Sequence, residues 1–400
     1  MFFGRSALYQ KLATLHGPQD AITSLAFSVY RKFLAATGTV VCLLGVEEPD
    51  KVAIPACTWL YFAQRSHHVL LLGTWDGSLQ LWDYTDETMV PVTHSTEGAD
   101  GSTVQVVSVD VFQREIPVGG QGKIVTSFAD RSVCMWTLKA EGELKQKFKV
   151  TLEDGFMPKT VHFDAKSGNI LVFSMNGGNV VLLDGHTGTT VWRKMNAPKL
   201  MGSVALNREC NEFIACTTQG FELLDVEKMS FIRKFDHHPI LLSVPKHVSF
   251  TEEDSKVVGG TDRGCAEVYD LKNAKAVQCL KYHLGGLVQS VAACPTREHF
   301  LIAIAGSNGH QACDVILWFK NRPRSHSSSA DSIVISWSFS FALRKKYLKS
   351  FVYVVLGTVF LLGYGFVMIY FSEVRSERIF IRRLLTVPAR RCGIMFVMNA

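Results

Sequence analysis

Side chains that could do chemistry are few in this chain and poorly grouped. The pairs His67-His68 and His237-His238 bring metal-ligating groups together, but neither has a third ligand at short spacing, as a zinc site requires. Both read as histidines of polar connections. Gly119-Gly120-Gln121-Gly122-Lys123 is as glycine-rich as a phosphate-binding loop, yet Ile124 stands where such a loop needs Ser or Thr to hold magnesium, so a turn between strands is expected. There is no Gly-x-Ser-x-Gly elbow, no His-Glu-x-x-His and no Cys-x-x-Cys. A non-catalytic protein without resident metal or cofactor is the expectation.

The aspartates Asp83, Asp184, Asp225 and Asp270 recur at one place in a longer pattern, each near the end of an apolar run. A position repeated in this way serves architecture, and hydrogen bonding within or between repeats is its expected role. The clearest unit is Leu70 to Asp83, LLLGTWDGSLQLWD, in which two apolar strands flank Asp76-Gly77. Asp-Gly between alternating strands marks a hairpin, because glycine reaches the positive φ that tight turns need. Weaker copies end at Trp136, Leu183, Leu224, Tyr269 and Trp318, and an early one at Leu44. Successive ends lie 38 to 54 residues apart, a period typical of propellers.

On these residues the chain resembles the WD-repeat family, whose blades close their third strand with an aromatic or apolar residue followed by Asp. The resemblance covers about residues 7 to 320 and is strongest at Trp82-Asp83, while Gly45, Thr137 and Phe319 replace the closing Asp elsewhere. It implies an all-β, seven-bladed WD-repeat β-propeller over residues 1–320. The last blade shows only three strands, Val288 to Ala293, Phe300 to Ala305 and Val315 to Phe319. The stretch Ala7 to Leu15 is expected to supply its fourth and close the ring. Trp82, Trp136 and Trp318 then belong to the core, whereas Trp59, Trp75 and Trp192 fall at less regular places and are candidate partner-binding residues.

Beyond the repeats, residues 321–350 form a linker and basic juxtamembrane segment that includes an alternating stretch, Ile333 to Phe341, and 351–371 reads FVYVVLGTVFLLGYGFVMIYF. These 21 positions carry no charge, and a helix of that length is about 32 Å, the thickness of a bilayer's hydrocarbon. A single transmembrane α-helix is expected, in contact with membrane lipid from Phe351 to Phe371, followed by a short basic tail, 372–400. The net charge of +6 is concentrated around this segment, which favours anionic headgroups over nucleic acid. Most of the ten cysteines lie in apolar runs, as in a reducing compartment, and Met1 to Leu15 has no secretory leader pattern. The propeller is therefore expected in the cytosol, on the endoplasmic reticulum or another endomembrane, with the tail across the bilayer.

With no catalytic constellation, the expected function is a membrane-anchored scaffold that docks protein partners on propeller loops. A second expectation comes from layout, which resembles the endoplasmic-reticulum-anchored WD-repeat exchange factors. That likeness implies a regulator of a small GTPase, although their active loop has no clear counterpart in Met1 to Asp50.

Overall fold

The computed structural model describes residues 8–16, 21–38, 53–85, 88–95, 104–236, 240–307, 313–323 and 394–397. Apart from one 3-10 turn, Val29–Arg31, every regular element among them is a β-strand. The chain divides into two units, Met1–Arg322 with Ala389–Met398 and Pro323–Pro388 with Asn399–Ala400, and the elements below belong to the first.

Strand β1 (Gln10–Leu15) precedes the pair β2 (Ile22–Phe27) and β3 (Phe33–Gly38). One sheet then holds β4 (Ala56–Phe62), β5 (His67–Gly73), β6 (Leu79–Thr85) and β7 (Thr88–Ser95). The next begins with β8 (Val106–Val111), is interrupted by the short β9 (Glu115–Ile116), which joins β4, and continues with β10 (Gly122–Phe128), β11 (Ser132–Leu138) and β12 (Leu144–Thr151). A third contains β13 (Pro158–Phe163), β14 (Ile170–Ser174), β15 (Val180–Leu183) and β16 (Thr190–Lys194). The fourth contains β17 (Val204–Leu206), β18 (Glu212–Thr217), β19 (Gly220–Asp225) and β20 (Phe231–Lys234). The fifth contains β21 (Val248–Thr251), β22 (Lys256–Gly260), β23 (Cys265–Asp270) and β24 (Ala276–Lys281). In the sixth, β25 (Val288–Pro295), β26 (His299–Gly306) and β27 (Val315–Asn321) are completed by β1.

That last pairing is the closure anticipated from Ala7 to Leu15. Strand β1 runs antiparallel to β27, from Gln10 opposite Phe319 to Leu15 opposite Val315, so the beginning and end of the repeat region share one ladder. The middle strands of each sheet are buried on both faces, which is why they read as continuous apolar runs such as ILVFS and HFLIAIAG. The outermost strands β12, β20 and β24 are largely exposed. Apolar clusters lie between neighbouring sheets, one joining β4–β6 to β8–β11 and others joining each following pair. Sheets stacked face to face in sequence around a ring define a β-propeller, with six blades of four or five strands.

A seventh sheet has three strands, β2, β3 and β28 (Ile394–Val397). It sits between the sixth and first blades: the Ser290 and Ser307 hydroxyls donate to the Ile22 carbonyl at 2.7 and 3.0 Å, and the Trp59 indole N–H donates to Ala26 at 3.0 Å. The expected third-strand end at Leu44 lies outside the described residues. The edge of β3 is instead paired with β28, antiparallel from Ile394 opposite Ala36 to Val397 opposite Phe33.

Among the described residues no helix is long and apolar enough to cross a membrane. The expected span 351–371 and the alternating stretch 333–341 lie outside them.

Candidate loop-face docking site

Consecutive strands of an antiparallel blade reverse direction, so the second turn of each blade and the connection to the next blade emerge at the same end. Hydrogen bonds tie these segments together. In the turn after β14, Met175 N–H donates to the Met157 carbonyl at 2.7 Å and Gly177 N–H to Lys199 at 2.8 Å, which links it to the connections on both sides. Gly264, after β22, donates to Gly286 at 2.6 Å in the same manner. We call this end the loop face.

The connection from β20 to β21 shows how the face is built. Phe235 is fully buried and packs on Tyr269, with ring centroids 5.5 Å apart. Residues 240–247 then cross to the next blade and are held by Asp262, in the turn after β22. Its Oδ2 accepts the Leu241 and Leu242 N–H groups at 2.8 and 2.7 Å. The Lys246 ammonium donates to the Leu242 carbonyl at 2.8 Å and lies 3.5 Å from Asp262, both side chains being almost wholly buried. Burial alone would raise the Asp262 pKa, but the Leu242 and Leu241 amides and then Lys246 hold its carboxyl below the usual carboxylate range. A buried charge so fully bonded fixes the backbone of this connection.

Pinned in this way, the connection turns its apolar side chains outward. Leu241 is 66% exposed and Leu242 49%. Beside them lies a cleft of about 50 Å³ bounded by Cys216, Phe221, Val244, Pro245, Thr261 and Tyr269. Other large exposed apolar residues, Trp75, Met157 and Leu284, also lie on loop-face segments, whereas the opposite ends of the blades expose Tyr30 and Val118.

The three candidate tryptophans are not brought together. Trp75 is 60% exposed at the tip of the β5–β6 turn, on the loop face. Trp59 is the correction: it is fully buried in β4, stacked on Phe33 at 5.5 Å with its N–H bonded to Ala26, and cannot meet a partner. Its place at the centre of a strand buried on both sides gave no regular repeat signal. Trp192 lies on the outer strand β16, half-buried, with the Lys194 ammonium 4.3 Å from its ring. The signal missed in the sequence was Ile240-Leu241-Leu242, an apolar run inside a connection rather than a strand.

His67 and His68 are also corrected, since they begin the buried strand β5 and occupy no polar connection. His68 is ringed by Tyr30, Phe33, Trp59 and Tyr61, and neither of its ring nitrogens has a hydrogen-bond partner. Burial, then the Lys32 and His67 charges, push its pKa down to about 4. His237 and His238 lie outside the described residues. Among the described residues no three His, Cys, Asp or Glu side chains gather to hold a metal. Gly119 and Gly120 form a turn before β10, closed by Gly120 N–H donating to Pro117 at 2.9 Å. Asp184 and Asp270 do the work expected of them: each accepts two N–H groups of its following turn at 2.8 to 3.1 Å, and Asp225 accepts one, from Lys228, at 2.6 Å.

Compared with known proteins, the chain matches no protein-family model and no curated sequence.

Proposed function

We propose that this chain is a divergent WD-repeat protein that works as a non-catalytic scaffold, docking protein partners on its loop face at a membrane. The observation that carries the reading is the number of exposed apolar side chains on the loop face, Trp75, Met157, Leu241, Leu242 and Leu284, against Tyr30 and Val118 at the opposite ends of the blades. Rigidly held apolar loops on one side of a ring are what a docking surface needs. The recurrent markers Trp82 to Trp318 support the WD-repeat assignment. The position of β2 between the sixth and first blades supports β2, β3 and β28 as the seventh.

The uncharged run from Phe351 to Phe371 supports the membrane attachment. The residues that follow, 372–393, carry six arginines and offer no second span.

The test is capture of partners by the detergent-solubilised full chain, compared with a Trp75→Ser/Leu241→Ser/Leu242→Ser variant and a Phe231→Ser/Val277→Ser control on the outer strands. Partners lost by the first variant alone, at unchanged Tm, are the expected result. Capture of the same proteins by all three forms would overturn the loop-face reading.

A further inference from the structure

The loop face is not uniform, and its charges bear on what it would hold. Around the cleft between the fourth and fifth blades, the exposed charged residues are mostly basic. Lys199 leads into Leu200 at the cleft's edge, Arg263 forms part of its wall, and Lys281 stands opposite Cys265 in the ladder beside the β22–β23 turn. Lys234 reaches across to Gln219, Nζ to Oε1 at 3.3 Å. On the acidic side, Asp236 is exposed on this rim, whereas Asp262 is consumed by Lys246 and the two leucine amides. Glu267 lies at the floor, buried and accepting the Tyr269 hydroxyl.

The centre of this site is apolar and preformed. The Asp262–Lys246 pair fixes the backbone of this connection, so Leu241, Leu242 and Val244 stay exposed beside room for roughly one side chain. An apolar anchor inserted there would cover them at little cost in loop ordering, since the backbone is already fixed. The basic rim selects what may flank that anchor. Acidic side chains are attracted, and basic ones are repelled. The same argument excludes the chain's own tail, in which six arginines follow Phe371.

We propose that the cleft formed by residues 240–247, the β18–β19 turn and the β22–β23 turn binds a partner's acidic peptide segment, with one large apolar residue seated beside Leu242 and Val244. This deepens the scaffold reading and rests on it. It names the site, the anchor and the charge of the partner.

The experiment uses the full chain in detergent and fluorescent nonapeptides with a central Leu-Phe. One peptide is flanked by Asp and Glu, one by Lys, and one is acidic with Ala-Ala at its centre. The acidic Leu-Phe peptide is expected to bind, with affinity falling at least tenfold in Lys234→Glu/Lys281→Glu and also in Leu242→Ser/Val244→Ser. It should weaken with added salt, as exposed charges are screened. Phosphatidylserine vesicles serve as the competing arm.

Equal binding of the Lys-flanked peptide, insensitivity to both double variants, or vesicle binding that the same variants abolish in place of peptide binding would each overturn the proposal. The Phe231→Ser/Val277→Ser control separates a folding defect from loss of the site. Loss of peptide binding with partner capture intact would remove this cleft and leave the scaffold reading standing; loss of capture together with retained peptide binding would do the reverse.

Discussion

The side-chain amide of Gln278 grips the backbone of Tyr9 at both of its polar groups, accepting the Tyr9 N–H at 2.8 Å and donating to the Tyr9 carbonyl at 2.7 Å. Tyr9 thereby ties the strand that closes the ring to β24 of the neighbouring blade, while its hydroxyl meets Thr251 at 3.1 Å. The pairing satisfies a backbone unit beside the first residue of β1 that would otherwise be buried without partners. Gln278→Ala should therefore lower stability by about 1 to 3 kcal/mol, the cost of orphaning both groups. Urea unfolding at constant m-value measures it.

Deleting Met1 to Leu15 is the stronger form of the same test. It would strip β1 from β27 and leave an open edge along Val315–Asn321. Aggregation on light scattering is the expected outcome. A soluble truncated chain that unfolds in a single transition would show that the ring does not depend on this closure.

Gly77 reaches a φ of +87°, as the Asp-Gly hairpin requires, and any Cβ there would lie 2.5 Å from the Val104 carbonyl oxygen. Two penalties coincide, one of backbone strain and one of contact with the incoming connection. Gly77→Val should cost at least about 1 to 3 kcal/mol. A melting temperature unchanged from the parent protein would contradict both.

The fold was legible where the sequence repeated itself, and the structure gives the repeat a physical meaning. Trp82, Trp136, Leu183, Leu224 and Tyr269 each stand at a register shift between the third and fourth strands of their blades. A bulge at that point bends the outer strand and increases its twist, so the same residue class recurs where each blade turns outward. The docking site was not legible for the opposite reason. It is made by one connection, residues 240–247, whose apolar run repeats nowhere else, and by Asp262, whose bonds join segments twenty residues apart. The burial of Trp59 and His68 was equally hidden, because β4 and β5 are covered on both faces and neither strand alternates.

His68 carries a pH signature. Its folded-state pKa of about 4, against an ordinary value of 6.5, means that between these pH values the unfolded chain binds a proton that the folded chain refuses. The stability this neutral imidazole leaves intact above pH 6.5 is lost as pH falls toward 4. His247 is shifted to about 4 as well, by burial and then Lys159. His68→Phe should flatten the fall in stability between pH 6.5 and 4 by up to one proton's slope. It should also raise stability at pH 7, since it removes two buried nitrogens without partners. Denaturant midpoints across that range provide the measurement, and an unchanged slope would place His68 in contact with water.

The ladder between β28 and β3 makes the membrane arrangement testable. Four residues, Ile394–Val397, lie along Phe33 to Ala36, and from this pairing the tail is expected to share the propeller's compartment. Six arginines between Phe371 and this strand act in the same direction, because clustered Arg resists transfer across a bilayer. Protease added to sealed vesicles carrying the full chain should therefore digest the propeller and a tag at Ala400 together. Replacing Met395 and Phe396 with proline removes two backbone donors and should speed hydrogen exchange at Leu34 to Ala36 without changing which side the tag occupies. If the tag is protected while the propeller is digested, Phe351–Phe371 crosses the bilayer once and the third strand of this sheet comes from another part of the chain.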